Sequence, residues 1–312
     1  MTLYRPISPG PRKCDPSLIY KSRRCFYSGP MQRRKTLIQI LGTAALAFAL
    51  MGFMFLETAL APKADLWPRW QTFNAASTAV IDHGPWDRFL KAYLKTNKDG
   101  VNRVLYGRVS DADKAALHGY INRLRLTPIE DFNRAEQMAY WINLYNALTV
   151  RLVLEYYPIK SIKEIDISSA VFGGPWDRKL LDVRGVSLSL NDIEHRILRP
   201  IWRDPRIHYA VNCAAIGCPD LLPLAFTGAN ADTLSDLGGQ NFINHRRGAR
   251  VEDGRLIVSK IYAWFIEDFG GNEEGVIAHL RYLAEPSLAR VLKGRTTIED
   301  YEYDWGLNDA GS

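Results

Sequence analysis

Met138 to Val150 is a stretch without a single charged residue. Met138, Trp141, Ile142, Tyr145, Leu148 and Leu152 form one apolar stripe at helical spacing, and the opposite side is also mostly apolar. A helix that is apolar all round must be buried all round. The spacing predicts a central helix over about 134–155, started by Asn133-Arg134-Ala135-Glu136 and stopped by Pro158. Everything else in the fold has to cover it.

Further helices are expected at about 86–95, 231–245, 259–266 and 272–284. Ser110 heads another through Leu124, and Ser189 with Asp192 opens one that ends near Pro200. Strand signals are few. Lys179–Val183 and Val186–Leu188 flank Arg184-Gly185, and Arg250–Glu252 and Arg255–Val258 flank Asp253-Gly254. Ile207–Asn212 is expected as a buried strand. Few strands separated by helices imply one α+β domain, a small sheet packed with helices around the central one.

The charge is unevenly placed. Residues 1–61 hold nine Lys/Arg and two Asp/Glu, whereas 62–312 hold 31 and 32. The basic excess is therefore N-terminal, and the folding part has no electrostatic reason to bind nucleic acid. Residues 1–30 are expected to be a disordered tail or an over-extended start. Gln32-Arg33-Arg34-Lys35 precedes the uncharged run Leu37–Leu56, as in a signal anchor or signal peptide over 31–61. A run of 20 residues reaches about 30 Å as a helix, enough to cross a bilayer core. The expected partner is thus an inner membrane through residues 37–56. Residues 62–312 would lie on its periplasmic side, or be secreted if the signal is cleaved after Ala59-Leu60-Ala61.

Several segments together resemble a known family. They are Ala139–Ala147 (AYWINLYNA), Ser189–His195 (SLNDIEH), Asp204–His208 with Asn212-Cys213, Cys218-Pro219, and Tyr303–Asn308 (YDWGLN). In this order, over about Trp86 to Asn308, they resemble the family called domain of unknown function 547, here as an exported or membrane-anchored bacterial member. The resemblance implies no activity, so the chemistry has to come from the residues.

After the N-terminal segment only Cys213 and Cys218 remain, and in an oxidising compartment they invite a disulfide. The alternative is a catalytic Cys213, placed just after the expected strand, with His195 as its base and Glu194 orienting the imidazole. On that strand His208 would stand roughly 16 Å from Cys213, too far to act on it. His208 and Asn212 are then expected to line a pocket, with Arg206 beside them. Asn143 and Asn146, three apart on the central helix, either supply amide donors to the site or tie neighbouring backbone together. The C-x4-C spacing is not a standard zinc pattern, so neither metal nor cofactor is expected. Two function classes stay open. One is a thiol-dependent hydrolase or acyltransferase. The other is a non-catalytic envelope domain that binds an unknown substrate or protein and carries a Cys213–Cys218 disulfide.

Overall fold

The computed structural model describes residues 60–167 and 174–311. The expected tail and the apolar run Leu37–Leu56 lie outside these residues. Among the described residues no helix is long and apolar enough to cross a membrane.

The chain forms an α+β domain. Its helices are α1 (Gly84–Tyr93), α2 (Asp111–Leu126), α3 (Arg134–Tyr156), α4 (Arg199–Trp202), α5 (Ile207–Ala210), α6 (Ala231–Ile243), α7 (Ile261–Trp264), α8 (Glu273–Leu283) and α9 (Pro286–Leu292). A π-helical segment, Asp192–Leu198, runs directly into α4. Three small sheets accompany them. Strands β1 (Leu94–Thr96) and β2 (Asn102–Val104) pair antiparallel, as do β3 (Leu181–Val183) and β4 (Val186–Leu188). In the third, β5 (Ala249–Glu252) and β6 (Arg255–Ser259) form a hairpin, and β7 (Asp300–Glu302) joins β6 in parallel. The Asp253-Gly254 turn holds both residues at positive φ, 51° and 78°, the geometry this dipeptide favours.

Helix α3 is the core. Asn133 caps it by accepting from the N–H groups of Ala135 and Glu136. Every residue from Glu136 to Val150 is buried. The helices α1 and α2, the π segment and the hairpin β3–β4 surround it. A second, smaller core lies between α6, α8 and the β5–β6–β7 sheet, centred on Phe242, Tyr262 and Phe269. Tyr209 of α5 belongs to it, and Gly238 and Gly239 of α6 make room for this contact. A Cβ on Gly238 would lie 2.8 Å from the Tyr209 carbonyl oxygen.

The expected strand Ile207–Asn212 is instead the helical turn α5, with Val211 extended after it. Asp204 decides this. Its Oδ1 accepts from the Arg206 N–H (2.9 Å) and its carbonyl accepts from the Ile207 N–H (3.1 Å), closing a turn that Pro205 and Arg206 continue. A short apolar run fits helix or strand equally well, and local side-chain bonding chooses here. The 16 Å separation argued for His208 and Cys213 falls with the strand.

Asn143 and Asn146 take the backbone-tying role. Asn143 Nδ2 donates to the Phe226 carbonyl (2.7 Å), and its Oδ1 accepts from the Phe226 N–H (3.0 Å). Asn146 Nδ2 donates to the Ala210 carbonyl (2.9 Å), and its Oδ1 accepts from the Asn212 N–H (2.8 Å). Both amides are thus used in holding the 210–226 segment onto α3. Asn143→Ala strands two buried backbone groups, at roughly 1–3 kcal/mol each. Urea unfolding should show a lowered midpoint with an unchanged slope; an unaltered midpoint would refute the clamp.

Candidate active site

Residues from five places in the chain meet at a cleft of about 440 Å³. The π segment supplies Glu194 and His195, and α5 supplies His208. The loop after α5 brings Cys213 and Cys218. Helix α7 and its continuation bring Trp264 and Phe265, and the segment after β7 brings Tyr303 and Trp305. Tyr145, Lys163 and Trp176 are among the other lining residues, and the exposed Leu60 and Pro62 with Ala61 form part of the mouth. The volume suits a small ligand or part of a larger one.

The two cysteines are free and adjacent. Their loop turns on Ala214, whose φ is 62°. Asn212 sets this turn, its Oδ1 accepting from the Ala214 N–H (2.9 Å) and its Nδ2 donating to the Pro219 carbonyl (2.7 Å). The loop is zipped to the C-terminal segment. The N–H groups of Ile216 and Gly217 donate to the carbonyls of Gly306 (2.7 Å) and Asp304 (2.8 Å), and the Asn308 N–H donates to the Ala214 carbonyl (3.0 Å). Gly217 is required, since a Cβ there would stand 2.7 Å from the Asp304 nitrogen. This pairing carries Tyr303 to the thiols: its Oη is 3.0 Å from Cys213 Sγ.

The thiols divide their proton unequally. Cys218 Sγ accepts from the Cys213 N–H at 3.0 Å. Burial pushes the Cys218 thiol up, but hydrogen bonds from the Cys213 thiol, from Tyr303 and from that N–H pull it below its ordinary value. Cys213 is raised well above its own, first by its bond to Cys218 and then by burial. Negative charge on this pair therefore settles on Cys218, which is only 5% exposed.

Beside the thiols lies a chain of charges. Arg199 Nε donates to Asp268 Oδ2 (2.6 Å), and His208 Nε2 bonds the same oxygen (2.7 Å). His208 Nδ1 faces Glu194 Oε1 at 3.6 Å, so both ring nitrogens look onto carboxylates. Burial opposes the His208 charge, yet the bonds to Asp268 and Glu194 prevail and raise its pKa. Burial likewise pushes Glu194 up, but His195, His208 and Arg199 outweigh it and hold it at about 2. Asp268 lies below the usual carboxylate range, because bonds from His208 and Arg199 overcome its burial.

His195 takes the opposite state. Arg199 Nη1 donates to its Nδ1 at 3.0 Å, so the proton of the neutral ring sits on Nε2. Burial, aided by Arg199 and His208, pulls its pKa to about 4. Glu194 Oε2 lies 4.0 Å from Nε2. No histidine is hydrogen-bonded to Cys213, whose side-chain partners are Tyr303 and Cys218. His195 thus presents a donor to the cleft and has no free lone pair with which to accept the thiol proton.

Glu194, His195, His208, Cys213 and Cys218 all line the cleft, while Asn143, Asn146, Asn212 and Arg206 do not. Arg206 instead binds Asp204, Asp232 and Asp236, fixing α5 to α6. Sequence reasoning missed Arg199, Asp268, Trp264 and Phe265, and gave no role to Trp305 within its motif. It quoted Tyr303 in a motif without giving it a role. Among the described residues no group of three or more His, Cys, Asp or Glu side chains is placed to hold a metal ion.

Fold and site together define an α+β domain with a dithiol in an aromatic cleft. Residues 129–243 match the family model described as "Protein of unknown function, DUF547", which supports the resemblance over that span. The span includes Glu194, His195, His208 and both cysteines, and stops before Asp268 and Tyr303. No curated protein and no solved structure matches the chain.

His83, His195 and His279 all have pKa values lowered from 6.5 to about 4, chiefly by burial. Above 6.5 they are neutral in both states. Below it the unfolded chain binds protons that the folded chain refuses, so stability falls as pH drops toward 4. His208, with a raised pKa, acts in the other sense: its contribution is present below 6.5 and lost as pH rises through its folded value. Three groups outweigh one, so urea midpoints should fall between pH 6.5 and 4.5. The slope should be shallower in His83→Gln, and a flat profile would contradict these assignments.

Proposed function

We propose that the cleft is a thiol-dependent acyl-transfer site, a hydrolase or acyltransferase in which Cys218 is the attacking sulfur. The observation that carries this is the pair of free thiols, hydrogen-bonded to each other and to Tyr303, opening on a cleft that also holds two histidines of opposite protonation. Cys213 and Tyr303 donate to the Cys218 thiolate and fix its position. The thiolate adds to a carbonyl carbon and forms an S–C bond. The bond to the leaving group then breaks, and the leaving group departs with the proton of the Tyr303 hydroxyl, which lines the cleft beside the thiols. Water or an acceptor nucleophile cleaves the thioester and returns that proton. The Nε2–H of His195 is a donor for the developing oxyanion.

The location belongs to the same proposal. The basic cluster ahead of Leu37–Leu56 supports a domain held or released outside the cytoplasm. In such a compartment the closeness of Cys213 and Cys218 favours a second reading, a binding domain in which these cysteines form a disulfide.

Iodoacetamide labelling of the full chain separates the two readings. The enzyme reading expects fast alkylation of Cys218, slowed in Tyr303→Phe as the phenol's hydrogen bond to the thiolate is lost, and loss of acyl-ester hydrolysis in Cys218→Ala. A quantitative Cys213–Cys218 bridge in fully functional protein would sink it.

A further inference from the structure

The mouth of the cleft is made partly of the chain's own residues 60–62, and the way they are held bears on what the cleft takes. Pro200 has no N–H, so the helix begun by Asp192–Leu198 lacks a donor at that position. The carbonyls of His195 and Arg196 are met instead from outside, by the N–H groups of Asp65 (2.9 Å) and Trp67 (3.0 Å). Donors two residues apart on one segment have the spacing of a strand edge. Just upstream, Arg199 Nη1 donates to the Pro62 carbonyl (2.8 Å). Arg199 is buried and fixed by Asp268, so it forms a rigid charged donor aimed at a peptide carbonyl.

The hold on this segment weakens toward its start. Leu60 is 49% exposed, and Pro62 to Asp65 are exposed. The Asp65–Arg196 ion pair (3.3 Å) lies at the surface, where such pairs contribute little. From Trp67 onward the chain is anchored by its ring, which lies under the Arg196 guanidinium at 4.3 Å.

We propose that the ligand of the cleft is an extended peptide whose backbone carbonyl replaces that of Pro62 on Arg199. Residues 60–65 are then a cis occupant that the ligand displaces from the mouth. The inference deepens the acyl-transfer reading and rests on it for the chemistry. The peptide's amide carbonyl carbon bonds to Cys218, the C–N bond breaks, and the amine leaves with the Tyr303 hydroxyl proton. Water then hydrolyses the thioester and restores both groups. With Trp67 still seated on the Arg196 carbonyl, the vacated mouth offers one acceptor for an N–H, the His195 carbonyl, alternating with one donor for a carbonyl, Arg199. A peptide backbone carries that alternation and an acyl chain lacks it.

The probe is acetyl-Ala-Leu-Ala-Pro-Lys-Ala-amide, a copy of residues 59–64, added to the full chain. Tryptophan quenching and protection of both thiols from iodoacetamide report binding, with tri-N-acetylchitotriose and dodecanoate as comparison ligands. Asp65→Pro removes one N–H that holds the occupant and should tighten peptide binding about tenfold by raising the open fraction. Arg199→Lys should weaken it about tenfold through loss of the forked donor. Equal binding by wild type and Asp65→Pro would overturn the proposal, as would protection by the glycan or the acyl probe and not by the peptide. A reactive Cys218 that the peptide fails to protect removes the peptide class and leaves the thiol reading. Peptide binding beside inert cysteines supports the peptide site and removes the thiol reading.

Discussion

The buried chain Arg199–Asp268–His208–Glu194 holds the site together. Charges this far from water are tolerated only when they are paired and hydrogen-bonded. Each link joins a different element: α4 to the turn after α7, that turn to α5, and α5 to the π segment. Removing one partner leaves the next charge uncompensated, so the network fixes the relative placement of these four elements. It also sets protonation. Two carboxylates flank His208 and favour its cation, while a guanidinium on Nδ1 of His195 favours the neutral ring. Two imidazoles in one cleft are thereby driven to different states, a pattern that acid–base sites use.

The dithiol depends on a separate device. Asn146 and Asn212 fix the entry to the cysteine loop, and the backbone of 304–308 zips along its other side. Neither cysteine is stabilised by a histidine. The donors are a neighbouring thiol, a phenol and a main-chain N–H, and they converge on Cys218. Lowering a thiol's pKa by neutral donors in a buried place leaves the cleft without extra charge, which suits its aromatic walls. The same closeness that lets one thiol stabilise the other also permits a disulfide, so compartment and reactivity are linked at this one pair.

Much of the fold was legible because its signals are local. The uncharged run of α3, the Asn133 cap and the Asp253-Gly254 turn depend on neighbouring residues, and all three appear where expected. The 207–212 segment misled because its apolar pattern fits either element, and the side chain of Asp204 decides. The site was half legible. Glu194, His195, His208, Cys213 and Cys218 stand on short motifs and meet in the cleft. The two helix asparagines and Asn212 were read as site candidates, but their amides are consumed by backbone. Asp268 comes from a distant segment in ordinary surroundings, so nothing local marks it, whereas Arg199 and Trp305 stand beside or inside the recognised motifs and gain a role only from the fold. The pairing of His195 with Arg199 has the i,i+4 spacing of helical neighbours, and it is the anchoring of Arg199 by the distant Asp268 that no spacing encodes.

The central claim is that the buried charge chain assigns opposite protonation states to the two cleft histidines. Imidazole nitrogen NMR of the full chain at pH 7 tests it most directly. The account predicts His208 protonated on both nitrogens and His195 neutral with its proton on Nε2. A charged His195, or a neutral ring carrying its proton on Nδ1, would contradict it.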